Sequence, residues 1–222
     1  QNTYQTMEKY KIFDSRIKTP CSMVISGCSQ AGKTQWCLNL LKNAEQIFTK
    51  TPQHVFWFFG VETSTTNALA NKENITLVKG IPENGFDDYL LSDTLFIIDD
   101  LLLESGENIH VTNLFTRESH HKKITIVLIL QDLFSYGKHR KTFLRNSHYL
   151  VLYKTPLDKS SIYTIAQRIM PKNIRLFISL FETATKKPYS YLFIDGRADT
   201  PEEARFRSNI FGTYQTVYTC LL

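Results

Sequence analysis

The first residues in this chain whose types and spacing could do chemistry are a lysine and a threonine placed just behind two glycines. The run from Gly27 to Thr34 reads GCSQAGKT and fits G-x-x-x-x-G-K-[ST] in full. Glycine lets the backbone curl until successive N–H groups converge on one point. A helix starting at Gly32-Lys33 would bring the positive end of its dipole to that point. Such a loop holds phosphate. Lys33 would supply a mobile charge for β- and γ-phosphates, and the Thr34 hydroxyl would ligate Mg²⁺. The candidate nucleotide-binding residues are Gly27, Cys28, Ser29, Gln30, Ala31, Gly32, Lys33, Thr34 and Gln35, with ATP and Mg²⁺ as the expected cofactors.

A second acidic element answers the first. Leu95 to Asp100 reads LFIIDD, an apolar strand that stops on two carboxylates. A buried strand of this kind delivers its acid to the carboxyl edge of a sheet, where Asp99 can share a Mg²⁺ shell with Thr34. Asp100 then stands where it could orient or deprotonate an attacking water. Many hydrolases of this class carry Glu there, and the shorter Asp leaves a non-catalytic role open. The plainer alternative is two acids ending a strand in solvent. Gln131 closes the next apolar run, Ile124 to Leu130, and could sense a γ-phosphate or position water; otherwise it simply caps a strand end.

Several other features carry less. The net charge of +5 permits nucleic-acid binding without arguing for it. Cys21, Cys28, Cys37 and Cys220 form no C-x-x-C pair, which speaks against zinc or a disulfide framework and for free thiols in a reducing compartment. Cys28 lies inside the glycine loop, where its oxidation could interfere with a nucleotide. His120 and His121 are adjacent, so on a helix they point in different directions and make a poor chelate. Lys138-His139-Arg140-Lys141 with Arg145 could follow a phosphate backbone, although a charge run is more often a solvated face. No apolar run is long enough to span a membrane, and no secretory signal opens the chain.

The elements needed to hold these residues alternate short β-rich runs with amphipathic stretches, the pattern of a parallel sheet covered by helices. Strands are expected at Ser22 to Ser26, His54 to Phe59, Ile75 to Val78, Thr94 to Ile98, Ile124 to Leu130, Tyr149 to Tyr153 and, last, Tyr189 to Ile194. Ile75 to Val78 reads as a short or edge strand. Helices are expected over Lys33 to Phe48, from about Asn108 to His120, on both sides of Pro171, and from Thr200-Pro201-Glu202-Glu203 onward. One domain, residues 20–211, follows a lead-in at 1–19 and precedes a tail at 212–222.

With the motifs in this order the chain resembles the FtsK-HerA superfamily of DNA-pumping ATPases, most of all the poxvirus-type and Polinton- or adintovirus-like genome-packaging ATPases. The resemblance rests on GCSQAGKT, LFIIDD, FTRESHHKKITIVLILQDLF (Phe115 to Phe134), RNSHYLVLYK (Arg145 to Lys154) and PEEARFRSNIF, and spans about Pro20 to Phe211. It implies a three-layer α/β P-loop NTPase of the RecA-like, additional-strand type, with a mainly parallel central sheet. In that fold one strand separates the P-loop strand from the LFIIDD strand. It also implies a ring of identical subunits that moves double-stranded DNA into a preformed viral capsid, inside the host cell (cytoplasm or nucleus) or with the virion, and without a membrane partner. By match, Lys33 and Thr34 hold nucleotide and metal, Asp99 and Asp100 supply coordination and catalysis, and Gln131 is the polar sensor. An arginine from the neighbouring subunit usually completes such a site. Arg117 and Arg145 are the candidates, and either could instead touch DNA or pair with an acid.

Two other readings stand beside the motor. A nucleoside or nucleotide kinase would need an arginine lid over the phosphates, for which Arg197, Arg205 and Arg207 are the available residues. A non-catalytic P-loop module would bind ATP as an assembly switch.

Overall fold

The computed structural model describes residues 13–70, 72–99, 101, 108–118, 122–134 and 140–219, with backbone alone at 117, 118, 140 and 141. Asp100, His120, His121, Lys138, His139 and Cys220 lie outside the described residues, as does the side chain of Arg117.

Among the described residues nine strands form one sheet in the order β3-β2-β4-β5-β1-β6-β7-β8-β9. They are β1 (Ser22–Ser26), β2 (His54–Phe59), β3 (Ile75–Lys79), β4 (Thr94–Asp99), β5 (Thr125–Leu130), β6 (Tyr149–Tyr153), β7 (Tyr191–Asp195), β8 (Phe206–Ser208) and β9 (Thr216–Val217). The first six pair in parallel, and β7, β8 and β9 are added antiparallel. The helices are α1 (Lys33–Lys42), α2 (Ala44–Ile47), α3 (Ser64–Leu69), α4 (Ile109–Asn113), α5 (Arg140–Asn146), α6 (Ser160–Ile169) and α7 (Ile174–Ala184).

Strands β1, β4 and β5 are apolar on both faces because helices cover both. Val24, Phe96, Ile98, Ile126 and Leu128 pack on one side with Val111 of α4, Phe143 of α5, Ile165 of α6 and Phe177 of α7. Met23, Ile25, Leu95, Ile97, Val127 and Ile129 point the other way, against Trp36, Cys37 and Leu40 of α1 and Leu69 of α3. The result is a three-layer sandwich. Strand β5 lies between β1 and β4, so the P-loop strand and the LFIIDD strand are not neighbours.

Some elements depart from expectation. The helix over Lys33 to Phe48 breaks at Asn43, whose amide donates back to Asn39 O at 2.8 Å and closes α1 before α2 begins. The helix from Asn108 starts on an Asn108 cap, since its side chain accepts from His110 N and Val111 N, but loosens to a π-type turn over Leu114–Glu118. The start at Thr200-Pro201 gives only one 3₁₀ turn, Glu202–Ala204, with no side-chain cap, because the chain must extend into β8 at Phe206. The strand expected from Tyr189 begins at Tyr191 and is followed by β8 and β9.

The antiparallel end of the sheet is locked by a buried charge. Arg207 of β8 is 1% exposed and donates to Asp195 Oδ2 at 3.2 Å. The same guanidinium reaches Ser15 O at 2.5 Å and lies over the Phe193 ring at 4.8 Å. Burial lowers its pKa, and the Asp195 charge offsets part of that. Removing one partner leaves the other charge uncompensated. Arg207→Met should therefore cost about 3–5 kcal/mol, read as a lower urea midpoint at constant slope.

Candidate phosphate-binding site

All six parallel strands end at one edge, and the loop after β1 rises there between β5 and β6. Gly27 N donates to Leu130 O of β5 at 3.3 Å. On the other side Tyr153, the last residue of β6, stands so close that a Cβ at Gly27 would meet the Tyr153 Cβ at 2.4 Å. Only glycine fits. The loop tightens through Ala31 N to Cys28 O at 3.2 Å, passes Gln30 at φ 63° and turns into α1 through Gly32 at φ 102°. Trp36 N to Gly32 O at 2.9 Å is the first helical bond. No residue of the first turn of α1 is itself acidic.

Lys33 is buried, and its ammonium donates to Gly27 O at 2.6 Å and Cys28 O at 2.8 Å. It is thus held inside the curl of the loop. Thr34 Oγ1 donates to Asp99 Oδ2 at 3.2 Å, which joins the first turn of α1 to the end of β4 across the intervening β5. A hydroxyl and a carboxylate oxygen at that spacing are the donor chemistry of a hard cation such as Mg²⁺. Among the described residues no group of three or more His, Cys, Asp or Glu gathers to hold a metal, so any cation here would also need phosphate and water oxygens. Gln131 follows the last residue of β5 and is exposed at the same edge.

The structure therefore brings together Gly27 through Gln35, Asp99 and Gln131. It does not bring Arg145 to them. Arg145 is exposed at the end of α5, and its neighbour Asn146 accepts from Ser22, the first residue of β1. The five residues of β1 separate that end from the loop by roughly 16 Å, at about 3.3 Å per residue. Arg197, Arg205 and Arg207 lie at the same far end, because Asp195 pairs with Tyr149 at the start of β6. Arg205 is bound to Glu202 at 2.7 Å and donates to Asp195 O and Arg197 O. None of these three can form a lid over phosphates in its own chain.

Sequence reasoning missed the aromatic wall beside the loop. Tyr153 OH donates weakly to Gly32 O at 3.4 Å, and its ring lies 5.6 Å from that of Tyr191. Burial drives the Tyr153 phenol far above its ordinary range and Tyr191 up to about 12, so both stay neutral. Tyr153 ends a strand adjacent to β1, and the rule that sites form at carboxyl strand ends was the signal that could have found it. The thiols differ as well. Cys21 is pushed up to about 12 by burial, and Cys37 is raised by burial and by the nearby Asp99 charge. Cys28 is half-buried in the loop and donates to Lys154 O at 3.5 Å.

A scan against protein-family models finds no match, and a search of curated proteins finds none. Among solved structures the chain is similar to the genome packaging NTPase B204 from Sulfolobus turreted icosahedral virus 2 in complex with ATP-gammaS. The TM-score is 0.53 and the identity 11%, over 91% of this chain and 98% of that one. The AMPPCP complex of the same protein gives a TM-score of 0.53 at 11% identity, with the same coverage. The cytoplasmic domain of EssC matches with a TM-score of 0.51 at 11% identity, over 90% of this chain and 39% of that one. The fold is that of a P-loop NTPase, in the additional-strand arrangement that the FtsK-HerA resemblance implies. No described helix is long and apolar enough to cross a membrane.

Two outcomes are expected. Gly27→Ala should cost about 1–3 kcal/mol from overpacking, and adding Tyr153→Phe should not restore it, because the clash is with Cβ. Of Cys21, Cys28 and Cys37, only Cys28 should react readily with N-ethylmaleimide in the native protein, as read by peptide mass spectrometry.

Proposed function

We propose that this chain is an ATP-hydrolysing motor subunit that moves double-stranded DNA, working in a ring of identical copies to package a viral genome into its capsid. The observation that carries the nucleotide half is the Thr34–Asp99 hydrogen bond, which sets a P-loop hydroxyl and a strand-end carboxylate side by side. The packaging half is supported by the likeness in fold to a genome packaging NTPase.

In this reading the loop amides and Lys33 take the β- and γ-phosphates. Thr34 and Asp99 hold Mg²⁺, which when bound neutralises phosphate charge. Asp100, next in the chain, is the proposed general base, and Gln131 orients the attacking water from the end of β5. Arg145 lies at the far end of its own chain, so it could complete a site only in a neighbouring copy, and Arg117 remains the alternative. DNA would be gripped through phosphates without reading sequence.

The kinase reading loses support because its three candidate lid arginines sit at the opposite edge of the sheet. The test is ATP turnover with and without long double-stranded DNA at two salt concentrations. We expect stimulation by DNA that fades as salt rises. Turnover indifferent to DNA but raised by a small phosphate acceptor would overturn the motor. Lys33→Ala should abolish turnover and weaken nucleotide binding about 10- to 150-fold, the loss of one charged hydrogen-bonding group. Asp100→Asn should lose turnover and keep nucleotide binding, and wild-type turnover in that variant would remove Asp100 as the base.

A further inference from the structure

The site has two sides, and only one has been given work. Asp99 and Gln131 stand at the ends of β4 and β5, on one flank of the loop. If the γ-phosphate faces those groups, the nucleoside must leave across the opposite flank, toward β6 and β7. That flank holds a cleft of about 300 Å³ lined by the loop residues Cys28 to Ala31, by Lys154 after β6, and by the turn from Lys186 to Ser190 between α7 and β7.

Tyr189 is the unusual residue of this turn. It is 73% exposed, although it is a large aromatic, and its backbone is left-handed at φ 61°. A bulky residue rarely adopts that conformation, and such outliers gather at ligand sites. Its side chain is not adrift. A methyl group built on Gly32 would lie 3.5 Å from Tyr189 Cδ1 and 3.7 Å from Tyr153 Cε1, so the two tyrosines flank the glycine where the loop enters α1.

Two hydroxyls at the turn donate to backbone carbonyls rather than into the cleft. Ser190 donates through both its amide and its hydroxyl to Lys187 O, at 3.2 and 2.6 Å, and the Thr185 hydroxyl donates to Phe181 O at 2.7 Å. The cleft therefore offers a ligand an aromatic face with exposed lysines at 154, 186 and 187 around it. A ring face stacks on any base, whereas base choice needs donors and acceptors aimed at the base edge.

Resting on the P-loop reading above, we infer that Tyr189 is the stacking platform for the nucleoside, and that the cleft accepts purine nucleoside triphosphates with little choice between adenine and guanine.

The test is calorimetric binding, with Mg²⁺, of non-hydrolysable ATP and GTP analogues and of inorganic tripolyphosphate. Tyr189→Ala should weaken both nucleotides about tenfold, within a range of roughly 5- to 150-fold for a lost stack. It should leave tripolyphosphate within about twofold, and Tyr189→Phe should bind all three as the wild type does. Unchanged nucleotide affinity in Tyr189→Ala would overturn the platform. So would an equal loss for tripolyphosphate, which would mean that the loop had been distorted. A wild-type preference between the two analogues above about tenfold would overturn the lack of base choice. Lys33→Ala separates the two claims: it should weaken all three ligands, and if it weakens none, the P-loop reading fails rather than the base site.

Discussion

The chain leaving β1 is held between two neighbouring strands before it can form a loop at all. Leu130 of β5 takes the Gly27 amide, and Tyr153 of β6 closes the space where any side chain would go. The backbone can only rise out of the sheet, curl through Gln30 and Gly32 in left-handed conformations, and run into α1. That confinement fixes where the first turn of α1 falls, and hence that Thr34 meets Asp99. Had β4 lain directly beside β1, its terminal carboxylate would approach from a different angle. With β5 between them, the Thr34–Asp99 pair bridges one strand, and Gln131 follows the end of β5 in the gap.

Much of this was legible in the sequence, and the reasons are local. Strands β1, β2 and β6 were read to the residue because each is a compact apolar or aromatic run bounded by polar residues or a turn. The curl of the glycine loop was legible because its motif specifies backbone geometry rather than contacts. What failed depended on neighbours far along the chain. Strands β8 and β9 are only 3 and 2 residues long; β8 owes its existence to pairing with β7 and to the buried Arg207–Asp195 contact, and β9 to pairing with β8. Nothing in RFRSNIF shows that its second arginine is buried. Thr200-Pro201 has the letters of a helix start, yet the demand for β8 stops it after one turn. Tyr153 and Tyr189 escaped notice because their importance comes from what they stand against, and Gly27 and Gly32 lie more than a hundred residues away from them.

The ends of the sheet divide the labour. The candidate site residues collect at the carboxyl edge, while Arg145, Arg197 and Arg205 collect at the amino edge, with Asp195 and Glu202 tying part of that cluster down. A single copy thus presents the candidate site at one edge and cations at the other. In the proposed ring, that polarity would let one copy supply a cation to the next.

The central claim is that Thr34 and Asp99 act as one unit to bind metal with nucleotide. Its most direct measurement is the Mg²⁺ dependence of nucleotide affinity, by calorimetry in Mg²⁺ and in EDTA, for the wild type, Thr34→Val, Asp99→Asn and the double variant. The account predicts that Mg²⁺ tightens binding at least about tenfold in the wild type. That gain should vanish in either single variant and fall no further in the double, the signature of coupled residues. A Mg²⁺ effect that survives intact in both single variants would contradict it.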